Sequence, residues 1–270
     1  MIVAPHPDDE VLAAGGVIAA VLNSSDRSQI RVIVATNGDA SYATAFFHGS
    51  HFITKENFKR QAVMRQQESL KALASLGLDA EHVYFWGFPD RGLASLWKSH
   101  WDNEPPYRSS TTGYDHSVQA LNSPLLPFTR ASLDVLFRDE LIEFRPTTII
   151  MPHPQDRHSD HSALAGFTLH AIKHYHLDSH LPLPLLLAYW MWNRTKPWLT
   201  GTRPHDIAQL SAEADPANVN IRRLRMSPAI HEQKARALQC YPSQKIAAGR
   251  LFRESTRKAY ETFAVLQPAL

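Results

Sequence analysis

The sequence predicts an α/β protein with a mainly parallel central sheet. Three observations carry that expectation. Short apolar or β-branched runs alternate with helix-like segments over most of the chain, the pattern of strands joined by crossover helices. Two of those runs, residues 2–4 and 147–151, end in loops dense in His and Asp. In a parallel sheet such loops open onto the crevice beyond the carboxyl ends of the strands, where ligands bind.

The elements follow in order. Ile2-Val3-Ala4 leads into Pro5-His6-Pro7-Asp8-Asp9-Glu10 and then a segment, 11–22, that is apolar almost all round and so reads as a buried helix. Gly15 and Gly16 each weaken a helix by about 1 kcal/mol relative to alanine, so their use is close approach of helix to strand. Residues 30–35 are a β-branched strand ending in the turn residues Thr36-Asn37-Gly38-Asp39. A polar and aromatic loop, 40–54, precedes a long helix over 56–76 that Gly77 closes. Residues 82–86 form a third strand, followed by Gly87-Phe88-Pro89-Asp90. The pattern breaks over 97–128, a long insertion loop whose aromatics either stack on a ligand or tack the loop onto the body. A helix (132–144), a strand (147–151), a helix (162–176) and a strand (185–190) resume the alternation. Residues 193–219 are irregular, and helices over 229–239 and 248–263 complete the chain. No repeat or linker divides it, so residues 1–270 read as one domain.

Composition narrows the function classes. Hydrophobic residues make up 44% and charged residues 20% of 270, which argues for a globular protein and against disorder. A net charge of +2 is too mild for a nucleic-acid partner, and the basic run Arg222-Arg223-Leu224-Arg225 reads as a solvated edge. One cysteine, Cys240, gives no disulfide framework. The most apolar run, 181–190, is too short to span a bilayer and holds two prolines. No signal peptide is visible, and a cytoplasmic location is the expectation. The three-residue opening strand is short for a central one, so the chain is expected to start late relative to its natural beginning.

The two His/Asp loops carry the chemistry. The first offers His6, Asp8 and Asp9; the second offers His153, Asp156, His158, Asp160 and His161. A hydrolytic zinc site takes three ligands from His and carboxylate and leaves a fourth position for water. Neither loop supplies a comfortable three alone. His6 and Asp9, three apart at a helix mouth, can turn toward one point, and His161 completes the set. Asp8 then suits a general base. His158, three residues before His161, would as an imidazolium stabilise an oxyanion or protonate a leaving amine, and Asp160 would orient a histidine. Simpler readings stand beside this one: Asp-Asp-Glu after a strand can cap a helix, and a His-rich loop can be an exposed polar loop.

Residues 4–10, Ala-Pro-His-Pro-Asp-Asp-Glu, with the Gly15-Gly16 helix after them, resemble the signature of the PIG-L/LmbE-like zinc N-deacetylases. Asp156-Arg157-His158-Ser159-Asp160-His161 resembles that family's second motif. Arg65-Gln66-Gln67-Glu68 with Leu76-Gly77, the segment Gly87–Asp90, and Lys234 through Ser243-Gln244 resemble its remaining motifs. The resemblance implies a Rossmann-like, three-layer αβα fold. It implies zinc, or another divalent metal, and hydrolytic removal of an N-acetyl group from a GlcNAc-type amino sugar or glycoconjugate. Carried over by position, His6, Asp9 and His161 would be the zinc ligands, Asp8 the base and His158 the group facing the oxyanion. Asp160 would support His158, and Arg65 and Asp90 would contact substrate. A zinc amidase acting on a thiol–sugar conjugate or other N-acyl compound, and a non-catalytic carbohydrate-binding relative, are the competing readings. A homo-oligomer is compatible with all of them.

Overall fold

A computed structural model of the chain describes residues 1–24, 29–47, 53–100, 104–118, 120–179, 182–192 and 220–267. Their core is a seven-stranded sheet. Five strands are parallel: β1 (Ile2–Ala4), β2 (Val32–Thr36), β3 (Val83–Phe88), β4 (Thr148–Pro152) and β5 (Leu185–Tyr189). Two more, β6 (Ile221–Arg225) and β7 (Tyr260–Leu266), add antiparallel at one edge, giving the order β3-β2-β1-β4-β5-β7-β6. The order reverses between β1 and β4, which pair at Ile2 and Ile150. That reversal is the switch point at which open α/β sheets bind ligands. Both His/Asp loops leave from it.

The parallel strands are apolar on both faces because helices cover both. Alternate residues point to opposite sides. Val3, Ile33 and Met151 pack with Trp86, Phe137 and Phe167 on one side, while Ile2, Ala4, Val32 and Val34 pack with Val11, Leu73 and Tyr241 on the other. The first layer holds α4 (Leu93–Lys98), α5 (Arg130–Phe144) and α6 (Ser159–Ser179). The second holds α1 (Asp9–Leu22), α3 (Lys55–Ser75) and α7 (Pro228–Leu238). Three layers and a mainly parallel sheet make the fold Rossmann-like.

Two sequence expectations need correction. The 40–54 loop contains a short helix, α2 (Tyr42–Phe47). The last helix is shorter than expected: after the short α8 (Gln244–Ala247), α9 spans Gly249–Arg257, and the chain then returns to the sheet as β7. Its strand pattern is hidden because an inward position is Glu261, a buried carboxylate. The Arg-rich run expected to be a solvated edge is the edge strand β6, with all five residues exposed. The insertion begins inside α4. Trp97 is core, edge-on to Phe167 at 5.0 Å, and Tyr114 stacks under Lys59, so these aromatics fasten the segment to the body. Residues 193–219 lie outside the described residues.

Gly16 serves a close approach. A Cβ there would stand 2.4 Å from Met226 Sδ and 3.0 Å from Glu261. The space lets a buried ion pair reach α1. Lys234 Nζ donates to Leu12 O (2.8 Å) and to Glu261 (2.6 Å), while Glu261 accepts from the amides of Gly16 (2.7 Å) and Val17 (2.9 Å). Ser243 Oγ and N donate to Glu68 of α3. The Lys…Ser-Gln stretch is therefore a clamp on the helices behind the first loop.

Candidate metal centre

The first loop turns sharply. Asp8 sits at the N-cap position of α1 with φ 129°, a region costly for a non-glycine residue, and its side chain makes no capping hydrogen bond. The simple capping reading of this residue therefore fails. Surrounding groups hold the turn. Its amide donates to Glu10 Oε2 (2.9 Å), and Glu10 Oε1 accepts from Tyr241 OH (2.6 Å) and Ser69 Oγ. Arg65, on α3, donates to Pro7 O (2.7 Å), Gly38 O (2.8 Å) and Asp8 Oδ2 (3.2 Å). Gly38 has φ +61°, and a Cβ there would meet the Arg65 guanidinium. Arg65, expected at the substrate, thus has both terminal nitrogens turned onto the first loop and its neighbour and is buried beneath them. Burial pushes the Asp8 carboxyl up to about 8 against the pull of Arg65, with the charges of Asp9 and Glu10 adding to the rise.

Three imidazoles converge beside Asp8. The ring centroids of His6, His158 and His161 lie 4.8, 5.3 and 5.1 Å apart. Asp9 Oδ2 stands 3.0 Å from His6 Nδ1 and 3.2 Å from His161 Nε2. The far ring nitrogens also meet carboxylates: His6 Nε2 faces Asp90 (3.2 Å) and Asp160 (3.3 Å), and His161 Nδ1 faces Asp156 (3.5 Å). Asp90, expected at the substrate, is therefore a partner of His6. Asp160 was expected to support His158, yet its carboxylate is turned to His6 and to the amides of Arg91 and Leu93. Its link to His158 runs through the backbone, from Asp160 N to His158 Nδ1 (3.3 Å).

That bond fixes the chemistry of His158. A ring nitrogen that accepts from an amide leaves the other to carry the proton, so the neutral ring presents Nε2–H. Burial, then the charge of His6 and His161, pulls its pKa down to about 4. In this arrangement His158 offers Nε2–H as a donor, where the sequence alone suggests an imidazolium. Asp9 is held well below the carboxylate range: burial opposes ionisation, but His161 and His6 outweigh it. For His161 burial likewise opposes the charge, yet Asp9 and Asp156 raise its pKa to about 9.

The donor set fits a divalent cation. Two groups bring ligand atoms within 4.8 Å of one another, His6/His158/His161 and His6/Asp90/Asp160. Asp8, Asp9, Asp90, Asp156 and Asp160 are all buried around them, and buried charge of that density is paired or coordinates metal. Both ring nitrogens of the fully buried His161 lack a hydrogen-bond partner of good geometry.

Sequence reasoning missed the roles of two carboxylates. Asp156 accepts from the amides of His158 (3.0 Å), Met191 (2.7 Å) and Trp192 (3.2 Å) while facing His161. Asp39 accepts from Asp90 N (3.0 Å) as Asp90 accepts from Ala40 N (3.0 Å), a brace between the β2 and β3 loops. The Asn-Gly-Asp turn marked that loop's position but said nothing of its partner.

The model of the PIG-L family, described as GlcNAc-PI de-N-acetylase, matches residues 1–172. The chain belongs to the PIG-L family. A search of curated proteins returns no match. Among solved structures, the conserved protein TT1542 from Thermus thermophilus is 19% identical with a TM-score of 0.59, over 100% of this chain and 94% of that one. The 4-carboxy-2-hydroxymuconate hydratase GalB from Pseudomonas putida is 14% identical with a TM-score of 0.56, over 100% and 95%. The N,N'-diacetylchitobiose deacetylase from Pyrococcus horikoshii is 14% identical with a TM-score of 0.54, over 99% and 82%. These likenesses show the fold, which hosts both a hydratase and deacetylases, so the reaction must be argued from the site. PIG-L membership and the cation-ready cluster together make this protein a zinc-dependent hydrolase of carbon–nitrogen bonds, a deacetylase. No helix among the described residues is long and apolar enough to cross a membrane.

Proposed function

We propose that the protein removes the N-acetyl group from a small amino sugar of the GlcNAc type, with His6, Asp9 and His161 holding zinc. One observation carries the ligand choice. Asp9 Oδ2 lies 3.0 and 3.2 Å from a nitrogen of each of two histidines whose opposite nitrogens face carboxylates. Ligating histidines characteristically give their second N–H to a carboxylate. Ligand atoms about 2 Å from a tetrahedral zinc stand roughly 3.3 Å from one another, close to the two separations that Asp9 makes. Asp90 and Asp160, which accept from backbone amides, serve as outer acceptors for His6.

A bound divalent cation supplies an acidified water and polarises the acyl oxygen. The chain does the rest. Asp8, held by Arg65 and by its own amide on Glu10, takes the proton as water attacks the acyl carbon. His158 Nε2–H donates to the carbonyl oxygen as charge develops there. The carbon–nitrogen bond then breaks and Asp8 returns its proton to the leaving amine.

The test is acetate release from a panel of N-acetylglucosamine compounds, with chelator and with added zinc. Release that stops with chelator and returns with zinc is expected. Zinc-loaded protein that liberates no acetate from any member would sink the reading and favour other N-acyl substrates.

A further inference from the structure

Of the insertion's described aromatics, Trp97 is buried, Tyr114 is taken by Lys59, and Tyr107 is half-buried against Gly92, near enough to Asp160 and Asp39 for their charges to act on it. A different aromatic stands at the mouth. Trp192, just beyond β5, is 38% exposed, and its ring centroid lies 6.3 Å from that of His158 with 34° between the planes. Its backbone is pinned. Asp156 accepts from the amides of Met191 and Trp192, and the same oxygen faces His161 Nδ1. Two residues back, Trp190 stacks on His153 at 4.1 Å, so the strand end beneath is packed. The backbone of Trp192 is thus tied to the carboxylate that faces His161, while part of its indole meets water beside His158.

We propose that Trp192 is the platform on which the pyranose ring of the substrate lies, its indole face against the C–H face of the sugar beside His158. The inference rests on the deacetylase reading and adds what that reading lacks, a reason for a cyclic sugar over any other acetamide. The acyl oxygen is expected at His158 Nε2, and the indole is an exposed aromatic ring beside that imidazole, 6.3 Å from it. A large rigid aromatic offers broad contact area at low entropic cost, and its face does not depend on any one hydroxyl. A carboxylate that aligns His161 and also fixes this indole ties the position of the sugar to the position of the metal ligand.

Two substrates separate the roles. Methyl N-acetyl-β-glucosaminide carries the acetamide on a ring; N-acetylglucosaminitol carries the same acetamide on an open chain of hydroxyls. Trp192→Ala should raise KM for the glycoside about tenfold with kcat nearly unchanged, equivalent to about 1.4 kcal/mol of binding, and leave the alditol unaffected. Trp192→Phe should recover most of the loss, and zinc content should match wild type in both variants. An equal KM rise on both compounds, or a fall in kcat at constant KM, would overturn the platform and make the indole a shield for His158. If wild-type protein hydrolyses neither compound, the amino-sugar reading itself falls, and the platform with it.

Discussion

The loop of residues 5–10 is held mainly by side chains of other elements, whereas the carboxylates of the loop of residues 153–161 are held mainly by backbone amides. Glu10 takes a hydroxyl from Tyr241, 231 residues further along the chain, and Asp8 takes a guanidinium from α3. Asp156, in the second loop, binds the amide two residues ahead and the two amides just beyond β5. The first loop carries a strained residue, Asp8 at φ 129°, and charged side chains converge on it. The second carries ring nitrogens that need only orientation, and backbone amides supply it. The base Asp8 is set among charges, and the ligand His161 faces a carboxylate, Asp156, that backbone amides hold.

Substitutions can break that comparison. The largest effect is expected from the pair His161→Ala and Asp8→Ala. The first should lose metal and fall to the chelator-treated rate. The second should keep metal, measured by bound zinc, and lose about 10²–10⁴-fold in kcat. Near-wild-type turnover by the Asp8 variant would remove it as base. A smaller contrast separates the supports. Asp156→Asn should weaken zinc affinity about 10–100-fold with modest loss of stability. Tyr241→Phe should leave zinc affinity intact and cost about 1–2 kcal/mol in denaturant unfolding, because Glu10 then lacks a buried donor. Reversed outcomes would show that the two loops are held alike.

The smallest effect concerns pH. Burial lowers the His153 pKa from 6.5 to about 4, against the pull of Asp156. The unfolded chain therefore binds this proton first as pH falls, so the stability it contributes is present above about 6.5 and lost on the way down to 4. His153→Phe should be less stable at pH 7, losing the ring nitrogen that accepts from Gln155 N, but should decline less steeply from pH 6.5 to 4. Parallel declines would show that the acid sensitivity arises elsewhere.

Both loops were legible because strand, turn and ligand types sit together within a short span of sequence. The central strands were legible because burial on both faces leaves long β-branched runs. What escaped is non-local. Nothing in the spacing of Asp156 and His161 says that one orients the other, and nothing near Arg65 says that its fork closes on Pro7 and Gly38. β7 was hidden because Glu261 occupies an inward position, answering Lys234 and two amides of α1 rather than an apolar core. β6 buries no side chain, so no alternation marked it.

The clamp of Tyr241 on the opening loop, and of Lys234 and Glu261 on the helix behind it, joins segments made far apart in time. A nascent chain can emerge with its first strand and both His/Asp loops complete and still have Glu10 and the Gly16 amide without their Tyr241 and Glu261 partners. Domains tend to fold from the N-terminus as they are made, and contacts so far apart in sequence close late. In this protein the reactive loop precedes its Tyr241 partner by 231 residues. Arg65 and Ser69 can hold the strained Asp8 turn early, and its support is complete only once Tyr241 has been made.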